Sequence, residues 1–143
     1  MSFLSEKMKL VRLSNAAAAA QTEVLGTASR AGFDRAFIFV ALGDVTATCV
    51  LTLTGKVGDA SNGSDAVAVS GASATFTAAA SDADNKMLGV DVALDDSDYV
   101  SGSLTRTTAN AVVDGMFALL YDSRIMPQLN SDLLAAVGRG TAL

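Results

Sequence analysis

The chain contains no histidine and no tryptophan, one cysteine, Cys49, and one proline, Pro127. Without histidine there is no serine or cysteine triad of the usual kind, no histidine-ligated zinc and no imidazole acid–base. A lone cysteine rules out an internal disulfide. Cys49 lies among apolar neighbours and reads as a small buried hydrophobe. With no proline before residue 127, every earlier segment is free to pair its backbone in a sheet. Charge is also sparse, at 17% of residues. The net charge of −5 disfavours a nucleic-acid binder, which needs clustered lysine and arginine. No run reaches the ~20 apolar residues of a membrane-spanning helix. At the N-terminus Lys7, Lys9 and Arg12 interleave with Met8, Leu10, Val11 and Leu13, unlike a signal peptide, whose charges precede its apolar run.

Half of the 143 residues are hydrophobic, enough for one domain with a core. That content is mostly alanine, valine and leucine, which makes thin layers. Such small residues suit either close approach to another protein or simple compositional bias. The pattern that stands out runs from Phe33 to Thr54. Positions from Ala36 to Leu42 are nearly all apolar, as in a strand covered on both sides. After Gly43-Asp44, which suits a tight hairpin turn, the residues alternate. Val45, Ala47, Cys49, Leu51 and Leu53 point one way; Thr46, Thr48, Val50, Thr52 and Thr54 point the other.

Further strands are expected over 21–29, 66–70, 74–79, 87–94, 99–107 and 109–121. Turn formers such as Gly55, Gly58, Asn62 and Gly63 lie between them. In 87–94, Leu88, Val90, Val92 and Leu94 face inward. About eight short strands at this spacing define an all-β, antiparallel sandwich or barrel. Residues 1–20 read as an extended arm with an alanine hinge, although Met8 to Arg12 also has the alternation of an edge strand. Residues 21–127 form the sandwich domain and 128–143 a tail. In that tail Asn130 can cap a short helix over 131–137, ended by Gly138.

Candidate chemistry is thin. Asp82, Asp84, Asp95, Asp96 and Asp98 offer hard oxygen ligands. Neither cluster has an EF-hand pattern, and aspartate is common in turns for local reasons. No metal, cofactor or catalytic residue is assigned, and the chain is read as a non-enzyme. Surface character is more informative. The basic end (Lys7, Lys9, Arg12) and the acidic segment around residues 82–98 can attract each other between copies, or can be a solvated face and a loose tail. The row Thr46, Thr48, Thr52 and Thr54 is either plain solvent-facing strand or a flat, uncharged contact surface. These seven residues are the candidate partner contacts.

Several short stretches carry a family likeness: Gly32-Phe33-Asp34, then the run from Gly43 to Thr48, then Gly63-Ser64-Asp65-Ala66. The run from Asp84 to Val92 continues it, followed by Tyr99-Val100, Thr105 to Gly115, Ala118-Leu119-Leu120-Tyr121 and Pro127. In order and spacing the chain resembles the small capsid cement, or decoration, proteins of tailed bacteriophages, over roughly residues 30–127. The resemblance implies a jelly roll with no catalytic motif. It implies a virion protein on the outer surface of an expanded head, bridging major capsid protein subunits. It also implies a homo-oligomer, a dimer before a trimer. The alternative is a non-catalytic carbohydrate- or receptor-binding sandwich, for which only Tyr99 and Tyr121 present themselves as tyrosine platforms.

Overall fold

The computed structural model describes residues 7–123. Nine strands occur there: β1 (Met8–Ser14), β2 (Ala17–Ala20), β3 (Val24–Ser29), β4 (Phe33–Val45), β5 (Val50–Gly58), β6 (Val67–Thr77), β7 (Met87–Ala93), β8 (Tyr99–Thr107) and β9 (Ala111–Ser123). They form two antiparallel sheets packed face to face. Sheet I has the order β1-β9-β4-β7, with β2 continuing beyond β1 along the same edge of β9; sheet II has the order β3-β8-β5-β6. The ladders are nested: β1 and β2 with β9, β3 with β8, β4 with β7, β5 with β6. Nested pairs wound across two sheets are the jelly-roll arrangement. The all-β sandwich expected from strand spacing is the fold observed.

The core fills by alternation. Phe33, Ala36, Ile38, Val40 and Leu42 of β4 face Leu51 and Leu53 of β5, Val100 and Leu104 of β8, and Met116, Ala118 and Leu120 of β9. Leu88, Val90, Val92 and Leu94 point inward as their spacing predicts. The sheets leave no room for side chains over a row of three glycines. Gly26, Gly102 and Gly55 are cross-strand neighbours in β3, β8 and β5. A β-carbon on Gly26 would lie 2.2 Å from the Leu13 carbonyl oxygen, and one on Gly55 would lie 2.3 Å from a Val92 methyl. Leu13, Met116 and Val92 of sheet I occupy the space those side chains would take.

Two arginines pin the ends. Arg106 is 1% exposed in β8 and faces no carboxylate. Its Nε donates to the Thr22 carbonyl (2.9 Å), Nη1 to the carbonyls of Ala18 (2.9 Å) and Ala111 (2.5 Å), and Nη2 to Thr22 Oγ1 (2.9 Å). Burial lowers its pKa from the ordinary guanidinium value, with Cys49 acting slightly the other way. Arg30 does the same work at the opposite end. Its Nε donates to the Phe33 carbonyl (3.1 Å), Nη1 to the carbonyls of Asp95 and Ser97, and Nη2 to Asp34 Oδ1 (3.0 Å).

Several boundaries differ from those expected. Residues 8–20 are not a separate arm: β1 and β2 are an edge of sheet I, because Val11, Leu13 and Ala17 have core to pack against. Gly43-Asp44 is not a hairpin turn. It lies inside β4, where the register with β9 shifts between Ala41 and Val45. The turn comes at 46–49, closed by the Cys49 N–H to the Thr46 carbonyl (3.1 Å) with Thr48 at φ 74°. It crosses from sheet I to sheet II, so β4 and β5 are not ladder partners. The segments at 66–70 and 74–79 are one strand, β6, bulged at Gly71 (φ 85°). Residues 1–6, Pro127, the tail 128–143 and its helix lie outside the described residues.

Replacing Arg106 by methionine strands the carbonyls of Ala18, Thr22 and Ala111 and is expected to cost about 2–4 kcal/mol in denaturant unfolding. Arg106→Lys recovers only part, having three donors without the planar fork. A methionine variant as stable as the parent would show that the carbonyls find water instead. Gly26→Ala drives a methyl into the backbone of β1 and is expected to cost about 1–3 kcal/mol. Its cost should appear with loss of hydrogen-exchange protection along β1; unchanged protection would refute the close approach.

Candidate interaction surfaces

The outer face of sheet I is built by four strands in register. Across β1, β9, β4 and β7 one row reads Met8, Tyr121, Arg35, Ala93. The next reads Leu10, Leu119, Phe37, Asp91, and the third Arg12, Phe117, Phe39, Gly89. Gly115, Ala41 and Met87 close it. Residues directly opposite in an antiparallel ladder share a face, so this surface is apolar through its middle. Phe37 and Phe39 stack with ring centroids 5.7 Å apart, and Phe39 and Phe117 with 5.5 Å. The Arg12 guanidinium lies 5.5 Å from the Phe117 centroid, in cation–π range. Phe37 is 37% exposed and Met87 68%.

Polar groups stand only at the margins of this face. Tyr121 reaches diagonally over β4 and donates to Asp91 Oδ1 and Oδ2 (2.6 and 2.8 Å). That hydrogen bond is the main reason its pKa is raised, with burial second. Arg35 Nε pairs with Asp122 Oδ2 at 3.4 Å across exposed surface, a contact of little energetic weight. Beside Met87, the end of the sandwich opens into a cleft of about 180 Å³ lined by Leu42, Leu51, Phe76, Ala83 and Leu88, among others.

The outer face of sheet II is different in kind. Thr52 and Thr54 of β5 lie between Thr105 and Ser103 of β8 on one side and Thr75 and Ser73 of β6 on the other. Thr52 Oγ1 and Thr75 Oγ1 are 3.1 Å apart. Thr27 and Ser101 share a 2.8 Å hydroxyl contact, and Ser103 donates to Glu23. The loop 59–66 folds over one corner, with Gly63 (φ 75°) against Thr27 and Ser101 where a side chain would not fit. Asp65 holds that loop by accepting from the Asp59 and Ala60 N–H groups (3.0 Å each), which lowers its pKa. At the edge, β6 runs eleven residues without a charged side chain.

The structure separates the seven candidate contacts. Lys7 and Arg12 are exposed on the β1 side of sheet I; Lys9 is half-buried, facing the inner side of that edge. Thr52 and Thr54 belong to sheet II, on the opposite side of the sandwich. Thr46 and Thr48 are exposed on the crossing between sheets, not on a strand, so the threonine row is two features. Ala47, expected inward, is exposed with them. The apolar face of sheet I was absent from the candidates, although its signal was present: Ala36 to Leu42 is apolar on both faces of one strand.

The aspartate turns serve their own backbone. Asp82 Oδ1 accepts from the Ala79 N–H (2.9 Å), Asp84 Oδ1 from Val45 (2.8 Å) and Asp95 Oδ1 from Ser97 (2.8 Å). The Ser97 bonds lower the Asp95 pKa. Among the described residues no three Asp, Glu, Cys or His side chains gather as a metal site, and no helix is long and apolar enough to cross a membrane. Cys49 is fully buried, and burial raises its thiol pKa.

No protein-family model matches the sequence, and no curated protein matches it either. A solved structure from Desmodium yellow mottle tymovirus aligns with 88% of this chain and 90% of its own, at 9% identity and a TM-score of 0.33. That superposition is too loose to carry a reading of function.

Cys49 is expected to resist a thiol reagent in the native protein and to react completely in denaturant, since a buried, protonated thiol is a poor nucleophile. Fast native labelling, followed by absorbance of the released thiolate, would place it at the surface instead.

Proposed function

We propose that the chain is a structural virion protein that binds the outside of an expanded phage head and bridges major capsid protein subunits, acting without catalysis or cofactor. The observation that carries this reading is the distribution of weakly charged contact surface. A small, pinned sandwich presents an apolar face on sheet I, a hydroxyl-covered face on sheet II and a charge-free edge at β6. A rigid body with contact surface in several directions suits a bridge between neighbours. The sequence resemblance to decoration proteins points the same way. In this reading Lys7, Lys9 and Arg12 meet the capsid along the β1 edge, and Thr52 and Thr54 belong to a second contact area. Thr46 and Thr48 border the crossing between sheets. The protein acts as a homo-oligomer, a dimer before a trimer, and many modest contacts on one shell act together.

A second reading has one observation in its favour. The stacked row Phe37, Phe39 and Phe117 is a flat aromatic platform, as a carbohydrate- or receptor-binding module would use. Here Tyr121 and Asp91 would supply the polar margin.

Purified protein mixed with undecorated expanded heads is expected to bind saturably. Reversing the exposed Lys7 to glutamate should weaken binding about fivefold, ~1 kcal/mol, with little change in melting temperature, because exposed charges stabilise folds weakly. Deleting residues 1–15 is a poorer experiment, since it removes β1 from sheet I. Heads that take up no protein would end the proposal, and specific hits on a glycan array would promote the second reading.

A further inference from the structure

β6 ends sheet II on one side, and its free edge is uncharged. We infer that this edge pairs with the β6 of a second copy of the chain, antiparallel and centred on Thr75. The pairing gives the proposed homo-oligomer its interface and rests on that part of the reading, not on head binding.

The backbone sets which groups the edge offers. The Ala78 N–H donates to the Cys49 carbonyl (2.9 Å), and the Ala78 carbonyl accepts from the Thr48 N–H (2.8 Å). Ala78 therefore turns both backbone groups inward, toward the start of β5. In an antiparallel ladder every second residue repeats that orientation. Phe76 and Ala74 thus face their β5 partners, Leu51 and Leu53, while Ser73, Thr75 and Thr77 direct their N–H and C=O groups away from the sheet. β8 fixes the same parity from the other side. The hydroxyls of Thr105 and Thr107 lie 3.5 Å from the carbonyls of Thr52 and Val50, the β5 residues opposite Thr75 and Thr77. Those carbonyls face β8, so they do not bond to β6. An edge with unpaired donors and acceptors and no charge to blunt it is a template for another strand.

Geometry favours a second copy as that strand. A twofold axis normal to the sheet sets Thr75 opposite its own copy and Ser73 opposite Thr77, closing about six hydrogen bonds. On the inner side it sets Phe76 opposite Ala74, large against small, and does so twice. Phe76 is 41% exposed and lines the cleft beside Met87, so the pairing covers apolar surface. On the outer side Thr52, Thr75 and their copies form one continuous row of hydroxyls.

Charge agrees. At a net charge of −5, two copies repel along most approaches. Residues 73–77 bring no charge to the seam. By contrast, β1 carries Lys9 and Arg12, β7 carries Asp91, and Glu23 and Arg30 flank β3. At Gly71 (φ 85°) the strand bulges off the line, which confines the new ladder to residues 73–77. So short a ladder, about 17 Å, gives a dimer of micromolar rather than nanomolar affinity.

Sedimentation of the full chain from micromolar to millimolar concentration should show a monomer–dimer equilibrium. Amide exchange reads the interface directly. In dilute protein the Ser73, Thr75 and Thr77 amides should exchange fast and those of Ala74 and Phe76 slowly. In concentrated protein the first three should slow roughly tenfold. Thr75→Lys and Thr75→Glu each set like charges side by side at the axis and should weaken the dimer several-fold, and mixing the two variants should restore a heterodimer. A chain that stays monomeric across that range, or an oligomer that leaves the three amides unprotected, would overturn the inference. So would a dimer that both Thr75 variants leave as tight as the parent. Uptake by undecorated heads is scored separately, and its failure leaves these results unchanged.

Discussion

The sandwich depends on two guanidinium groups that bond almost entirely to backbone carbonyls. A jelly roll wound from nested ladders must carry its chain between sheets at both ends, and each crossing leaves carbonyls without ladder partners. Arg106 collects those of Ala18, Thr22 and Ala111 at one end; Arg30 collects those of Phe33, Asp95 and Ser97 at the other. Guanidinium suits this work, because its donors lie in one rigid plane and diverge. Lysine would offer a point charge, whereas the fork leaves Arg30 a donor for the Asp34 carboxylate besides its three carbonyls. The cost is burial of a cation, visible in the lowered pKa of Arg106. The same guanidinium also helps hold β2 in place. Four alanines have little to bury, and the strand is held by Arg106 at Ala18 and by its pairing with β9.

Between these pins the sheets meet over glycine. Gly26, Gly102 and Gly55 lower the inner surface of sheet II along one line, and Leu13, Met116 and Val92 fill it from sheet I. A composition short of aromatics and rich in alanine and valine can make a dense interior only if the layers come close. The glycine row is how they do so. The same closeness makes β1 integral to the fold, since Leu13 packs directly over Gly26.

What could be read in the sequence, and what could not, follows from the range of each interaction. Alternation is local, so β7 with inward Leu88, Val90 and Val92, and β8 as a strand, were legible. Sheet membership is not local. The residues from Val45 to Cys49 alternate like a strand, yet Val45 ends β4 and Cys49 precedes β5 in the other sheet. Both point inward because each stands beside the core, so the alternation passes through a turn. Gly43-Asp44 has hairpin residues, but its place in β4 is decided by β9 and by Val112 packed against the glycine. Arg106 could not be found from its neighbours, because its carbonyl partners lie as far as 88 positions away. The contact residues fared unevenly for the same reason: a row of threonines on paper is split by a crossing in space.

The strongest unused signal was a mismatch between one strand and its surroundings. The middle of β4, from Ala36 to Leu42, is apolar on both faces, whereas β5 is apolar inside and carries Thr52 and Thr54 outside. In a two-layer sandwich each sheet has one dry face, so the apolar outer residues at the middle of β4 stand out against the polar outer residues of β5. The rings of Phe37, Phe39 and Phe117 limit that exposure by stacking on one another, while the hydroxyls of sheet II suit water or a wet contact. The two faces therefore suit different neighbours. One offers stacked rings and leucines, and the other offers hydroxyls that can bond to water or to a polar surface.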